Sequence, residues 1–394
     1  MEMSIGIGNS SKVDGYEAAL EAASAVHEQL DGDAPDFVLV FSTIGYEQED
    51  ILASVVEQFG DVHMSGATFE GIIGRGYADE GMYALQIVGL KSDEVQFHNF
   101  EATNAVDQPL EAGEQLGRQV AEVTQSGSRV LFLFPDFRTN ITKLFEGIEK
   151  HCHLPLIGGA SGDNLKFQRC YQFHDGQVTE NACTALLMTG NFDLMTIVTH
   201  GSEPLGGPRT VTKCDGNVIY EIDGRPALDV ASEGFGEAIT LDNMAHAIML
   251  MGIGFKTEAS INFLSPYVVR AIFEFDFEEK SCTIPTVVSE GSEIQFMRRD
   301  PHSILNSGRL AAQKLGKTFD SLTPTPTPAL ICQFDCAGRG KVIVGDDVLT
   351  GVTDLQAEFA ATVPWMGSFC FGEISPIDGK NHFHNFTATL AVFY

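Results

Sequence analysis

Asp36-Phe37-Val38-Leu39-Val40-Phe41 is a short apolar run, and the residues downstream of it decide the fold. After a polar turn, Ile51, Leu52, Val55, Val56 and Phe59 recur at helical spacing. A second short strand, Val62-His63-Met64, then meets the glycine turn Ser65-Gly66-Ala67. Strand, helix, strand and glycine punctuation together predict a β–α–β unit. The pattern returns twice. Val130-Leu131-Phe132-Leu133-Phe134 precedes a helix carrying Ile141, Leu144, Phe145 and Ile148, and ends at Leu156-Ile157-Gly158-Gly159-Ala160-Ser161-Gly162. Ala329-Leu330-Ile331-Cys332-Gln333-Phe334 precedes a helix around Leu355, Phe359 and Ala360, and ends at Trp365-Met366-Gly367-Ser368. Each unit runs on into a further strand, at 82–88, 183–188 and 387–393. The echo of Phe97-His98-Asn99-Phe100 in Phe383-His384-Asn385-Phe386 is read as a further mark of duplication.

The stretch from about Gly206 to Gly316 departs from the unit. Thr210–Ile222 reads as a hairpin turning at Asp215-Gly216-Asn217. Asp223-Gly224-Arg225-Pro226-Ala227-Leu228 leads into a helix, strands come next over Tyr267–Phe275 and Glu293–Phe296, and a helix starts at Pro301. The Thr323–Pro328 run alternates Thr and Pro and predicts a stiff, extended connector. The expected fold class is α/β: repeated β–α–β units forming sheets covered by helices, layered α-β-β-α, in two halves. The expected domains are 1–205 and 206–394.

The chain has 394 residues, enough for a large core, with 44% hydrophobic and 20% charged residues. Asp plus Glu number 54 against 24 Lys plus Arg, a formal net charge of −30. That field disfavours nucleic acid and anionic membrane surfaces as partners. No stretch approaches the roughly 20 apolar residues of a spanning helix. The opening residues show no basic region leading into an apolar core, so no secretion signal is expected. The eight cysteines form no CxxC pair. Reduced thiols in a cytoplasmic protein are the expectation.

Several short motifs in one order resemble a known family. They are Leu156–Asp163, Gly201–Gly206, Glu221–Leu228, Phe296-Met297-Arg298-Arg299-Asp300, Asp335-Cys336-Ala337-Gly338-Arg339-Gly340, Gly367–Ile374 and His384-Asn385-Phe386-Thr387. In these the chain resembles FIST proteins, with an N-terminal and a C-terminal FIST region. The resemblance implies a small-ligand sensor in signal transduction rather than an enzyme. The free-standing architecture is similar to that of the bacterial nitric-oxide-sensing group. That likeness implies haem b as cofactor, nitric oxide as ligand, and a partner histidine kinase of a two-component system or a cyclic-di-GMP enzyme.

A haem sensor needs a neutral imidazole in an apolar pocket. His384, His246 and His200 are the candidate axial ligands, one of them sufficing. His384 sits between Phe383 and Phe386, His246 in the methionine-rich Met244–Met251 run, and His200 at the junction of the halves. For each, a hydrogen-bonded structural histidine is the competing reading. Arg225 and Arg299 are candidates to bind a carboxylate bidentately, a haem propionate or an amino acid; ion pairs with Asp223 and Asp300 are the alternatives. The haem reading requires the apolar seam between the repeats to enclose a cavity. The second reading is a metal-free sensor of a small metabolite such as an amino acid. A third is an enzyme using Cys336, whose neighbour Arg339 would lower a thiol pKa; against it stands a tight turn in which Arg339 clamps a carboxylate such as Glu373.

Overall fold

The computed structural model describes residues 3–123, 127–257 and 262–394. Met1 and Glu2, the first residues of the opening stretch in which no secretion signal is expected, lie outside them. The first unit runs β1 (Ser4–Ser10), α1 (Gly15–Gln29), β2 (Phe37–Ser42), α2 (Gln48–Phe59), β3 (His63–Thr68), β4 (Gly71–Gly74), β5 (Tyr77–Asp79) and β6 (Leu85–Lys91). The second repeats that order: β7 (Val95–Thr103), α3 (Pro109–Glu122), β8 (Ser128–Pro135), α4 (Ile141–Glu149), β9 (Leu156–Gly159), β10 (Gln172–His174), β11 (Gln177–Thr179) and β12 (Ala182–Gly190).

The third unit starts at β13 (Leu194–Thr199) and is interrupted by an insert. The insert holds β14 (Glu203–Asp215), β15 (Val218–Ile222), β16 (Arg225–Pro226), α5 (Ala227–Phe235), α6 (Met244–Leu250), β17 (Met251–Lys256), β18 (Tyr267–Ala271), β19 (Glu274–Asp276), β20 (Ser281–Thr283) and β21 (Glu293–Arg298). The unit then resumes with α7 (Pro301–Asp320), β22 (Leu330–Cys336), α8 (Lys341–Val344), α9 (Val348–Gln356), β23 (Trp365–Cys370), β24 (Glu373–Ile377), β25 (Lys380–His384) and β26 (Ala388–Phe393). The expected boundary at 205/206 falls inside β14, after the third unit has begun.

Each unit builds a sheet of one design. The strand orders are β1-β6-β2-β3, β7-β12-β8-β9 and β13-β26-β22-β23, with the last two strands of each parallel. Each sheet is then completed by a hairpin from another unit. β10–β11 adds to β3, β24–β25 to β9, and β4–β5 to β23, so the exchange is cyclic. The segments making the exchange interlock through backbone hydrogen bonds. Gly162 N–H donates to Thr68 O, Glu70 N–H to Phe369 O, and Ala160 N–H to Gly372 O, each at 2.9 Å.

The α/β fold with helices outside the sheets is found as expected, and a third such sheet joins the two that face each other. The inner faces share one core containing Phe37, Phe41, Phe132, Phe134, Phe334 and Phe393. Phe41, Phe134 and Phe334 hold equivalent places on β2, β8 and β22. Their ring centroids lie 5.3 and 6.4 Å from Phe41 to the other two, and 6.4 Å between those two. The seam expected to enclose a cavity is filled by these rings, and none of the candidate histidines belongs to that core.

Three glycines make the close strand pairing possible. Gly66, Gly158 and Gly367 pair with Val40, Leu133 and Gln333. A Cβ on them would stand 1.9, 2.3 and 1.8 Å from the partner's carbonyl oxygen. They lie within strands, not in the turns that their spacing suggested. The Phe-His-Asn-Phe echo does not mark equivalent places either. Both copies sit in the same sheet, one on β7 and the other across the end of β25, at opposite edges. The counterparts of β25 are β5 and β11.

In the insert the strands run β18-β17-β21-β14-β15-β20-β19, all antiparallel. They pack against α5 and α6 around Val211, Leu228, Ala231, Ile253 and Phe296. The hairpin expected at Asp215-Gly216-Asn217 forms, with Asp215 opposite Val218 and Gly216 in the left-handed region at φ 57°.

Candidate functional site

Where the insert meets the third unit, charged side chains are packed out of water. β22 ends at Cys336 and tightens into a single 3-10 turn, Ala337–Arg339. A Cβ on Gly338 would lie 3.0 Å from the Phe386 ring, so the turn packs closely on that ring. Arg299 reaches in from the end of β21 and is 1% exposed. Its Nη1 donates to Met249 O of the insert at 2.6 Å, and its Nη2 to Gly338 O of the third unit at 2.5 Å. The guanidinium lies 3.6 Å over the Phe386 ring. Its Nε is buried with no partner.

Arg339 donates from Nη1 to His200 O at 3.1 Å, and its Nε stands 3.7 Å from Asp335 Oδ2 without a hydrogen bond. Glu373, at the start of β24, accepts at Oε2 from Thr387 N–H (3.0 Å) and Thr387 Oγ1 (2.6 Å). Its Oε1 lies 3.6 Å from Cys370 Sγ. Arg270, half-buried, donates from Nη1 to Phe383 O at 2.6 Å.

Burial disfavours charge on Glu373, Asp335, Arg299 and Arg270, and unequally. It raises Glu373 to about 8 and Asp335 to about 6. It lowers Arg299 to about 9 and Arg270 to about 10, so both stay cationic at neutral pH. At the junction Arg299 and Arg339 are buried beside Asp335 and Glu373; the Arg299 Nε has no partner, and the Arg339 Nε has only the 3.7 Å ion pair to Asp335. A buried guanidinium donor left unsatisfied suits a small anion.

Of the residues singled out from sequence, the fold brings His200, Arg299 and His384 to this junction. His246 is on the exposed side of α6, its ring centroid 6.1 Å from that of Phe235. Arg225 is exposed and pairs with Glu233 at 2.5 Å, not with Asp223, which pairs with Arg209 at 3.1 Å. Arg299 does not pair with Asp300, whose carboxylate caps α7 at Ser303 N–H. The carboxylate that Arg339 approaches is Asp335, not Glu373. Sequence reasoning gave no role to Asp335 or Arg270, named Glu373 only as a carboxylate for Arg339 to clamp, and named Phe386 only as a flank of His384. The signal for three of them was present, since they lie in motifs shared with the family.

As haem ligands the two buried histidines are poorly placed. His200 has no nitrogen to spare: Nε2 lies 3.1 Å from Tyr267 O, and Nδ1 accepts from Ser202 N–H at 2.8 Å. His384 commits Nε2 to Ser375 O at 2.9 Å and leaves Nδ1 buried without a partner. Desolvation holds both imidazoles neutral, lowering His384 to about 3 and His200 to about 4. The spare Nδ1 is the ring nitrogen next to Cβ, where the residue's own backbone crowds a planar macrocycle. As packed, the residues do not fit haem well. Cavities of about 480 Å³ beside His27 and Phe59, and about 420 Å³ beside Pro324 and Tyr394, do not border the junction. Among the described residues no group of three or more His, Cys, Asp or Glu is placed to hold a metal ion, and no helix is long and apolar enough to cross a membrane.

The motifs that meet at the junction are those of a family. The chain matches the FIST N domain over residues 36–225 and the FIST C domain over residues 227–376. The chain belongs to the FIST-domain family. The junction thus lies mainly within the FIST C match, while the three-unit core draws on both. An uncharacterized protein of Mycobacterium tuberculosis is 26% identical over 404 residues, covering 99% of this chain and 100% of that one. One of Mycobacterium bovis is 27% identical over 407 residues, covering 99% of each. One of Methanocaldococcus jannaschii is 31% identical over 221 residues, 53% of this chain and 40% of that one. Against solved structures, PurLQS from Thermotoga maritima aligns with 9% identity and a TM-score of 0.22, covering 99% of this chain and 72% of that one. FIST domains are small-ligand sensing domains in signalling.

Proposed function

We propose that this FIST protein senses a small anionic metabolite, an amino acid being the leading class, at the junction of the insert and the third unit. One observation carries the reading: Arg299 is fully buried, bonded to both sides of the junction, and keeps an unpartnered Nε. A ligand carboxylate would take Nε of Arg299 and of Arg339. An ammonium group would find its acceptors in Asp335 and Glu373. Because Arg299 spans the two bodies, a ligand competing for its hydrogen bonds would shift the insert against the core. A differential of a few kcal/mol between the two arrangements is enough for a switch. The protein acts by binding and carries no catalytic step. Eight free cysteines fit a reducing, cytoplasmic setting.

A thermal-shift screen of the full chain against amino acids and simple carboxylates tests this. Stabilisation that is lost in Arg299→Gln, itself checked for folding by circular dichroism, supports the reading. No stabilisation by any of them overturns it.

The second reading is a haem-based nitric oxide sensor that regulates a histidine kinase or a cyclic-di-GMP enzyme. Its one support is that His384 Nδ1 is buried without a partner, and iron would reach it only if the packing around that ring opened. Haem would supply an iron that binds nitric oxide. A visible spectrum after mixing with haemin decides the matter: one identical to free haemin removes this reading, and one altered in wild type but not in His384→Ala supports it.

A further inference from the structure

Cys336 and Cys370 face each other in register across the parallel strands β22 and β23. No other strand pair among the described residues sets two cysteines opposite one another. Parallel neighbours stand about 4.8 Å apart, inside the 4.4–6.8 Å Cα separation that disulfides span. Residues in register point to the same face of a sheet, so both thiols lie on one side. Each is the last residue of its strand.

The surroundings supply the other parts that thiol chemistry needs. Cys336 is 8% exposed and Cys370 fully buried, so a reagent meets Cys336 first. Burial pushes the Cys336 thiol well above its ordinary range, and the Arg299 guanidinium acts in the opposite sense without reversing it. Glu373 Oε1 stands 3.6 Å from Cys370 Sγ, so the ionised form of Glu373, populated at pH 8, can take its proton.

We infer that Cys336 and Cys370 are a redox-active thiol pair that closes to an intramolecular disulfide with a low-molecular-weight disulfide as oxidant. The Cys336 thiolate attacks one sulfur of the oxidant, forming a mixed disulfide and releasing one thiolate. Cys370 then passes its proton to the Glu373 carboxylate and attacks Cys336 Sγ. The second thiolate leaves. One oxidant disulfide is reduced to two thiols, and the two cysteines are oxidised to one cystine. The pair holds whatever ligand the junction takes, because it depends only on the strand register and on Glu373.

The test incubates the native full chain with oxidised glutathione at pH 8, alkylates with iodoacetamide in denaturant, and maps the digest by mass spectrometry. The expected result is six alkylated cysteines out of eight, with one cross-linked peptide joining Cys336 to Cys370 that dithiothreitol releases. Cys370→Ser should instead stop at a glutathione adduct on Cys336, and Glu373→Gln should slow closure several-fold. Eight alkylated cysteines, a different pair, or an unresolved adduct on wild-type Cys336 would each overturn the inference. The wild-type map decides even where a variant fails to fold.

Discussion

The Arg299 guanidinium lies flat on the Phe386 ring, 3.6 Å from its centroid, and so fastens the end of the inserted sheet to the chain just ahead of the last core strand. The same group hydrogen-bonds a carbonyl on each side of that boundary. A lysine keeps the charge but has neither the plane nor the fork. Arg299→Lys is therefore expected to lose about 2 kcal/mol of stability through the stacked and charge-assisted contacts. Arg225→Ala, at an exposed ion pair, should leave it nearly unchanged. Urea denaturation of the two variants side by side checks the contrast, and equal losses would refute it.

Phe41, Phe134 and Phe334 hold one another at the centre of the three sheets. Each Phe→Ala change should cost about 3–5 kcal/mol. Because the rings share a cluster, the costs should not add. A double-mutant cycle on Phe41 and Phe134 is expected to show a coupling of about 0.5–1.5 kcal/mol. Strict additivity would mean that the rings do not act together.

Gly367→Ala is expected to prevent folding, since its Cβ would sit 1.8 Å from Gln333 O within a strand pair. Gly76 tolerates the same change far better. Its φ of 64° is left-handed, but nothing lies within 4 Å of the added atom, so the cost is about 1 kcal/mol. Soluble expression and circular dichroism of the two variants distinguish a steric requirement from a conformational preference.

The buried acids set a pH dependence of definite sign. Glu373 and Glu70 are raised to about 8 and Glu80 to about 7, chiefly by desolvation. Between their ordinary carboxylate range and those values the folded state holds protons that the unfolded chain has released. Stability therefore falls as pH rises through that window. His384 and His200, lowered to about 3 and about 4, act in the opposite sense, but only up to their ordinary value near 6.5. From about pH 6.5 to 8 the acids act alone, and stability should decline. Glu373→Gln should make that decline shallower by up to about 1.4 kcal/mol per pH unit. Denaturation midpoints at several pH values would show it; a stability rising from pH 6.5 to 8 would contradict it.

The repeats were legible in the sequence because each strand–helix–strand passage is written in local hydrophobic period. Phe41, Phe134 and Phe334 fall inside runs that could be read directly. The hairpin exchange was not legible. β4, β10 and β24 are short, and nothing local to Gly71–Gly74 says that its partner is Met366–Phe369 rather than its own unit. For the same reason the echo around His98 and His384 misled: four shared residues carry no information about which strand lies alongside. At the junction, sequence picked out Arg299 and His200, whose types are unusual next to apolar strands. It misassigned the partner of Arg299, because Gly338 O and Met249 O are backbone atoms that no side-chain pattern announces.

The cyclic exchange of hairpins also bears on how the chain is made. The sheet holding β2 is finished once Thr179 has been synthesised. The sheet holding β8 waits for His384, and that holding β22 waits for Phe393. On the ribosome, two of the three walls of the core thus stand open until His384 and Phe393 have emerged, and a chain cut before Lys380 would leave both so.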